Sequence, residues 1–113
     1  MSITVNDKEI ELNENGFLEN PEDWNMDVAK AIAESQGLSL SDRHWDVINF
    51  LRQEFFENGG NQPNNRIMAK AMAEKWPGEK VNASTLFDLF PGTPSKQAGM
   101  IGGLPESKRK GGY

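Results

Sequence analysis

Apolar residues recur along this chain with two different periods. Ile3-Thr4-Val5 and Glu9-Ile10-Glu11-Leu12 alternate apolar and polar positions, and Asn6-Asp7-Lys8 between them supplies turn residues. Alternation broken by a short polar turn predicts a β-hairpin that presents Ile3, Val5, Ile10 and Leu12 to the core. Two strands alone are marginal, so the hairpin is expected to lie on helices. After the connector Gly16-Phe17-Leu18 the period lengthens. Asn20-Pro21-Glu22-Asp23 reads as a helix start, Trp24, Val28 and Ile32 share one face, and Gly37 is the stop. The next helix starts at Ser41 and Asp42; Trp45, Ile48, Leu51 and Phe55 form its stripe, and Val47, Phe50 and Phe56 widen it. So broad an apolar face predicts the central helix of a bundle, ended by Asn58-Gly59-Gly60. A third helix is expected from Pro63 or Asn64 to Trp76-Pro77-Gly78. A fourth follows Asn82 and is broken by Pro91-Gly92. Ser95 to Ile101 has room for one or two further turns, in which Gly99 costs roughly 1 kcal/mol against Ala. From Gly102 onward mobility is expected. The pattern describes a mainly α protein: a small orthogonal helical bundle with an N-terminal β-hairpin over residues 1–95, and a flexible C-terminal arm over residues 96–113.

Composition narrows the chemistry. The 113 residues include no cysteine, which excludes a disulfide framework, a thiol nucleophile and cysteine-bound zinc or iron–sulfur sites. No apolar run reaches the length of a membrane span and the N-terminus lacks a signal-peptide pattern, so a cytoplasmic protein is expected. The net charge of −5 is unevenly spread. Residues 1–42 carry −8, residues 43–95 balance, and residues 96–113 carry +3 from Lys96, Lys108, Arg109 and Lys110 against Glu106. An acidic body argues against broad nucleic-acid binding.

Candidate reactive groups are sparse. His44 is the only histidine; a triad or metal site would need converging partners, and its place in the first turn of the central helix reads as a packing or capping residue. The carboxylates are scattered over polar faces, and no phosphate-cradling glycine motif follows a strand. Neither a metal site nor a cofactor is expected. Arg66 and Lys70 lie one turn apart and point the same way. With the preceding helix they would make a helix-turn-helix pair, Ser41–Asn58 and Pro63–Lys75, whose second helix enters a DNA major groove. The connection is longer than the usual tight turn, and a solvated helix face explains the same bases. The tail bases, Lys108-Arg109-Lys110, would dock on an acidic partner or on the acidic body.

The blocks Asn15-Gly16-Phe17-Leu18 with Trp24, Leu40 to Arg52, Pro63-Asn64-Asn65-Arg66-Ile67-Met68-Ala69-Lys70, Leu89-Phe90-Pro91, Pro94-Ser95-Lys96-Gln97-Ala98 and Gly103-Leu104-Pro105 occur in this order. In them the chain resembles the DsrC/TusE family, which comprises gamma-subunit-like proteins associated with dissimilatory sulfite reductase and sulfur-relay proteins of tRNA thiolation. The resemblance implies a helical domain with an N-terminal hairpin and a C-terminal arm that carries the chemistry, its penultimate cysteine accepting sulfur as a persulfide. Some members add a second cysteine upstream. Here Gly99 stands at the upstream position and Gly112 at the penultimate one, while Thr93 stands where the family usually has Gly. A persulfide needs a thiolate to form, so no catalytic residue is expected. The expected role is a monomeric, non-enzymatic protein that binds a partner of the sulfur-relay or sulfite-reductase type and regulates or scaffolds sulfur transfer. Its expected contacts are the arm residues Lys96, Gln97, Leu104, Pro105, Lys108, Arg109 and Lys110. Two alternatives stand beside it. One is a sulfur carrier, which requires cysteines in the natural gene; the other is a helix-turn-helix regulator of sulfur genes acting through Arg66 and Lys70.

Overall fold

The chain's structure, a computed structural model, describes residues 2–105. Strands β1 (Ser2–Val5) and β2 (Lys8–Glu11) pair antiparallel, with Ile3 opposite Ile10 and Val5 opposite Lys8. Asn6 and Asp7 between them have φ of 51° and 66°. Two successive left-handed residues make the turn whose twist matches that of paired strands, and Asn and Asp tolerate this conformation best after Gly. Val5, Ile10 and Leu12 are buried, as the alternation requires, and Ile3 packs at the core's edge.

Five helices follow: α1 (Met26–Ser35), α2 (Asp42–Glu57), α3 (Asn65–Lys75), α4 (Ala83–Leu89) and α5 (Pro94–Ile101). Their ends follow the residues that satisfy free backbone groups. Asn25, Asn64 and Asn82 each accept a hydrogen bond from the backbone N–H three residues on, at Val28, Ile67 and Thr85. At the other end of α1, Gly37 takes φ 76°, and the Leu38 and Gly37 N–H groups return to the carbonyls of Ala33 and Glu34. That is the Schellman arrangement, which an L-residue with a Cβ would strain.

The first helix starts later than the hydrophobic spacing predicts. Pro21–Asp23 form a separate 3-10 turn, capped by Asn20. Trp24 then adopts extended backbone, and Asn25 caps α1. The side-chain cap at Asn25 outcompetes continuation from the first turn, so Trp24 leaves the stripe of Val28 and Ile32 and faces the chain's C-terminal part instead.

The core gathers Phe17, Leu18, Val28, Ile32, Val47, Ile48, Leu51, Met68, Met72, Leu86, Phe90, Ala98, Ile101 and Leu104. It extends past the expected body. Helix α5 spans the anticipated boundary after Ser95, and it packs against α1 and α2. Gln97, Ala98, Gly99, Ile101, Gly102, Gly103 and Leu104 are all buried. Mobility from Gly102 is therefore corrected: through Leu104 the chain is core, because Ile101 and Leu104 supply apolar surface that the hairpin and four helices leave uncovered.

Candidate functional site

The base of the arm is held by three polar side chains from distant parts of the chain. Trp24 Nε1 donates to the Ile101 carbonyl at 2.9 Å, Arg52 Nη1 to the Gly102 carbonyl at 2.6 Å, and Gln62 Nε2 to the Pro105 carbonyl at 2.9 Å. The Arg52 guanidinium lies 3.7 Å from the centroid of the Trp24 ring and 4.9 Å from that of Phe56. A cation on an aromatic face is attracted by the ring quadrupole, and Arg stacks better than Lys because its charge is planar. Burial pulls the Arg52 pKa below its usual value, yet an arginine remains charged at any physiological pH. At Gly103 (φ 74°) a Cβ would come within 2.3 Å of Trp24 Cδ1, so only glycine lets the chain pass the indole.

One turn upstream, Gln97 organises α5. Its Oε1 accepts from the Gly92 N–H at 2.8 Å, its Nε2 donates to Gln36 Oε1 at 2.5 Å, and Gln36 Nε2 reaches Met100 Sδ. Gln97 and Leu104 were expected on a partner-facing arm; they are 8% and 1% exposed and serve packing. Pro105 is exposed, and Lys96 lies on the outer part of α5. Lys108, Arg109, Lys110 and Gly112 lie outside the described residues.

Gly99, expected from the resemblance to stand at the upstream cysteine position, is buried in α5, yet a Cβ built there would meet no neighbouring atom within 4 Å. The backbone offers space for a side chain that the sequence does not supply.

His44 behaves as its position predicts. Its Nδ1 accepts from the Ser41 N–H at 3.1 Å, which makes Nε2 the protonated nitrogen, donating to the Leu89 carbonyl at 2.9 Å. Its ring meets Phe90 edge-on. The imidazole ties the start of α2 to the end of α4 and is 8% exposed. Nearby, Arg43 pairs with Glu79 and lies over Trp76, whose Nε1 donates to Asp46. Among the described residues no group of three or more His, Asp or Glu side chains converges as a metal site, and no helix is long and apolar enough to cross a membrane.

Arg66 and Lys70 are both exposed on α3, as expected. Helices α2 and α3 are joined by seven residues, 58–64, against the three or four of a helix-turn-helix. The helix-turn-helix assignment finds no support in this connection. The arm-base residues Trp24, Arg52, Gln62 and Gln36 were not singled out from the sequence as a cluster. Each reaches a partner 43 to 77 positions away, and no local period reports that.

Residues 4–109 match the family model described as DsrC like protein. The chain is 40% identical over 104 residues to a Haemophilus influenzae protein named sulfurtransferase TusE homolog, covering 92% of this chain and 94% of that one. It is 43% identical over 99 residues to sulfurtransferase TusE of Escherichia coli K12, covering 88% and 90%. Its fold superimposes on the solution structure of Allochromatium vinosum DsrC with a TM-score of 0.84 at 39% identity. The crystal structure of the oxidized gamma-subunit of the dissimilatory sulfite reductase from Archaeoglobus fulgidus gives 0.86 at 32% identity. Both superpositions cover 96% of this chain and 98% of the other.

Proposed function

The chain belongs to the DsrC-like family, and on that footing we propose that it is a binding member of a sulfur-relay or sulfite-reductase-associated system, one that engages the partners of such proteins without carrying sulfur. The observation that carries this reading is the pairing of a retained body with an absent thiol. The family match runs over residues 4–109, and the sequence holds no cysteine, with glycine at positions 99 and 112.

Sulfur relay requires a thiolate that attacks a sulfane donor, holds the sulfur as a persulfide and releases it to the next thiolate. Methionine thioethers, hydroxyls and amines in this chain offer no such intermediate. What the chain keeps is shape and the anchored start of the arm. Such a protein occupies a partner's docking cleft, and so limits or scaffolds sulfur flow by competition. Its proposed contact is Pro105, which is exposed, with Lys108, Arg109 and Lys110 beyond it in the sequence.

Two measurements test this. Intact mass after incubation with a polysulfide donor should show no added sulfur, whereas a cysteine-bearing relative treated alongside gains it. Capture from native lysate with the full chain should recover a sulfur-relay or sulfite-reductase component, and reversal of Lys108, Arg109 and Lys110 to Glu should reduce that recovery. Recovery of no such component by the full chain refutes the binding role. Equal recovery by both baits refutes the arm contact.

A further inference from the structure

We propose that the groove between the first half of α3 and the segment 81–83 that leads into α4 is a docking surface for an acidic, amphipathic segment of a protein partner. The proposal rests on the binding role above and gives it a second contact, on the body rather than the arm. The groove encloses about 900 Å³, with Ile67, Ala69, Val81 and Ala83 among its apolar walls and Arg66 and Lys70 at its edge.

Three observations converge on it. First, Ile67 is 50% exposed on a helix whose Met68, Ala69 and Met72 already face the core. Its side chain serves the groove rather than the fold. Second, no Asp or Glu lines the groove, in a chain whose net charge is −5. Third, among the described residues Arg43 and Lys75 each have a carboxylate within 4.0 Å, while Arg66 and Lys70 have none. Two unneutralised cations beside an apolar hollow select a ligand with carboxylates next to an apolar side chain.

The alternatives fit less well. A nucleic-acid backbone brings no apolar group for Ile67 and Val81, and it meets the repulsion of the −8 carried by residues 1–42. A short acidic peptide senses mainly the local cations, because charges beyond about 8–10 Å are screened. A second copy would offer the carboxylates of its own residues 1–42, but most of these flank Val5, Ile10, Leu12, Phe17 and Leu18, which are already buried in its core.

The test titrates the full chain against a short fluorescent peptide with Leu at every third or fourth position and Glu elsewhere. Anisotropy follows binding and amide chemical shifts locate it. The proposal expects saturable binding with shifts confined to α3 and the start of α4. It expects Arg66→Glu with Lys70→Glu to weaken binding about tenfold or more, and Ile67→Asp to weaken it comparably. Both variants change exposed side chains, so an unaltered melting temperature certifies their fold. Binding that survives these changes, or shifts that map elsewhere, overturns the proposal. It also falls if duplex DNA binds the same face more tightly than the peptide, or if the chain is a dimer that the double reversal dissolves. Reversal of Lys108, Arg109 and Lys110 separates the two readings. If it alone abolishes peptide binding, the arm contact stands and the groove falls. If the groove binds peptide while the lysate yields no sulfur-relay partner, the groove stands and the wider role falls.

Discussion

Thr93 has φ 75° and ψ 108°, a backbone state that costs a β-branched residue about 1–3 kcal/mol. The DsrC/TusE pattern has Gly there, and the dihedral supplies the physical reason. Thr93→Gly is therefore expected to raise stability by roughly 1 kcal/mol, read as a higher denaturation midpoint with an unchanged slope. Gly103 presents the opposite case. A methyl group there meets the indole of Trp24 at 2.3 Å while φ stays at 74°, so Gly103→Ala should cost about 2–3 kcal/mol or displace Trp24. Gly99 differs again: it sits in a helix with φ outside the left-handed region and open space where Cβ would go. Gly99→Ala should stabilise by about 0.5–1 kcal/mol. Three glycine-type positions in one short stretch thus respond with three different signs or sizes. The sequence marks the last as a costly glycine but cannot separate the first two, since both depend on backbone angles.

At the scale of elements, capping chemistry was the most legible signal. Asn64, Asn82 and Gly37 stand close to where the sequence placed helix ends, because caps act over three or four residues. The hairpin was legible for the same reason. Trp24 was misplaced because its spacing from Val28 mimics a helical stripe, while the structure spends the residue on an interaction 77 positions away. The role of α5 was missed: the sequence allowed it one or two turns but joined it to the arm, and its burial shows only once its neighbours are known. Its anchoring gives a sharp expectation. Arg52→Ala removes a stack on Trp24 and the donor to Gly102, and should lower stability by about 1–2 kcal/mol. Amide exchange should accelerate at Gly102, Gly103 and Leu104 well before it does in α2. Arg52→Lys restores charge but not the planar stack and should recover only part of the loss.

Over the whole molecule, the fold class was readable because hydrophobic period and composition set it, and the family blocks confirmed it. The candidate sites were readable only in part. Arg66 and Lys70 were visible as exposed bases one turn apart, but the hollow beside them is made with Val81 and Ala83, from the loop before α4 and its first residue, which no single segment announces. The charge distribution also belongs to this scale. With −8 on residues 1–42, the chain should give no retained complex with duplex DNA in gel-shift titrations at physiological ionic strength, and a saturable, salt-sensitive complex would contradict that field argument.

The donors that hold the arm's base, Trp24, Arg52 and Gln62, all address main-chain carbonyls. A grip on main-chain carbonyls does not read the side chains that follow it. Residues beyond Pro105 are therefore free to vary without loosening the hold, and replacing a reactive tip by an inert one need not touch the body at all. The scaffold works as a socket for interchangeable ends: unrelated peptides grafted after Pro105 should all leave from the same point, with the body's melting temperature unchanged by their identity.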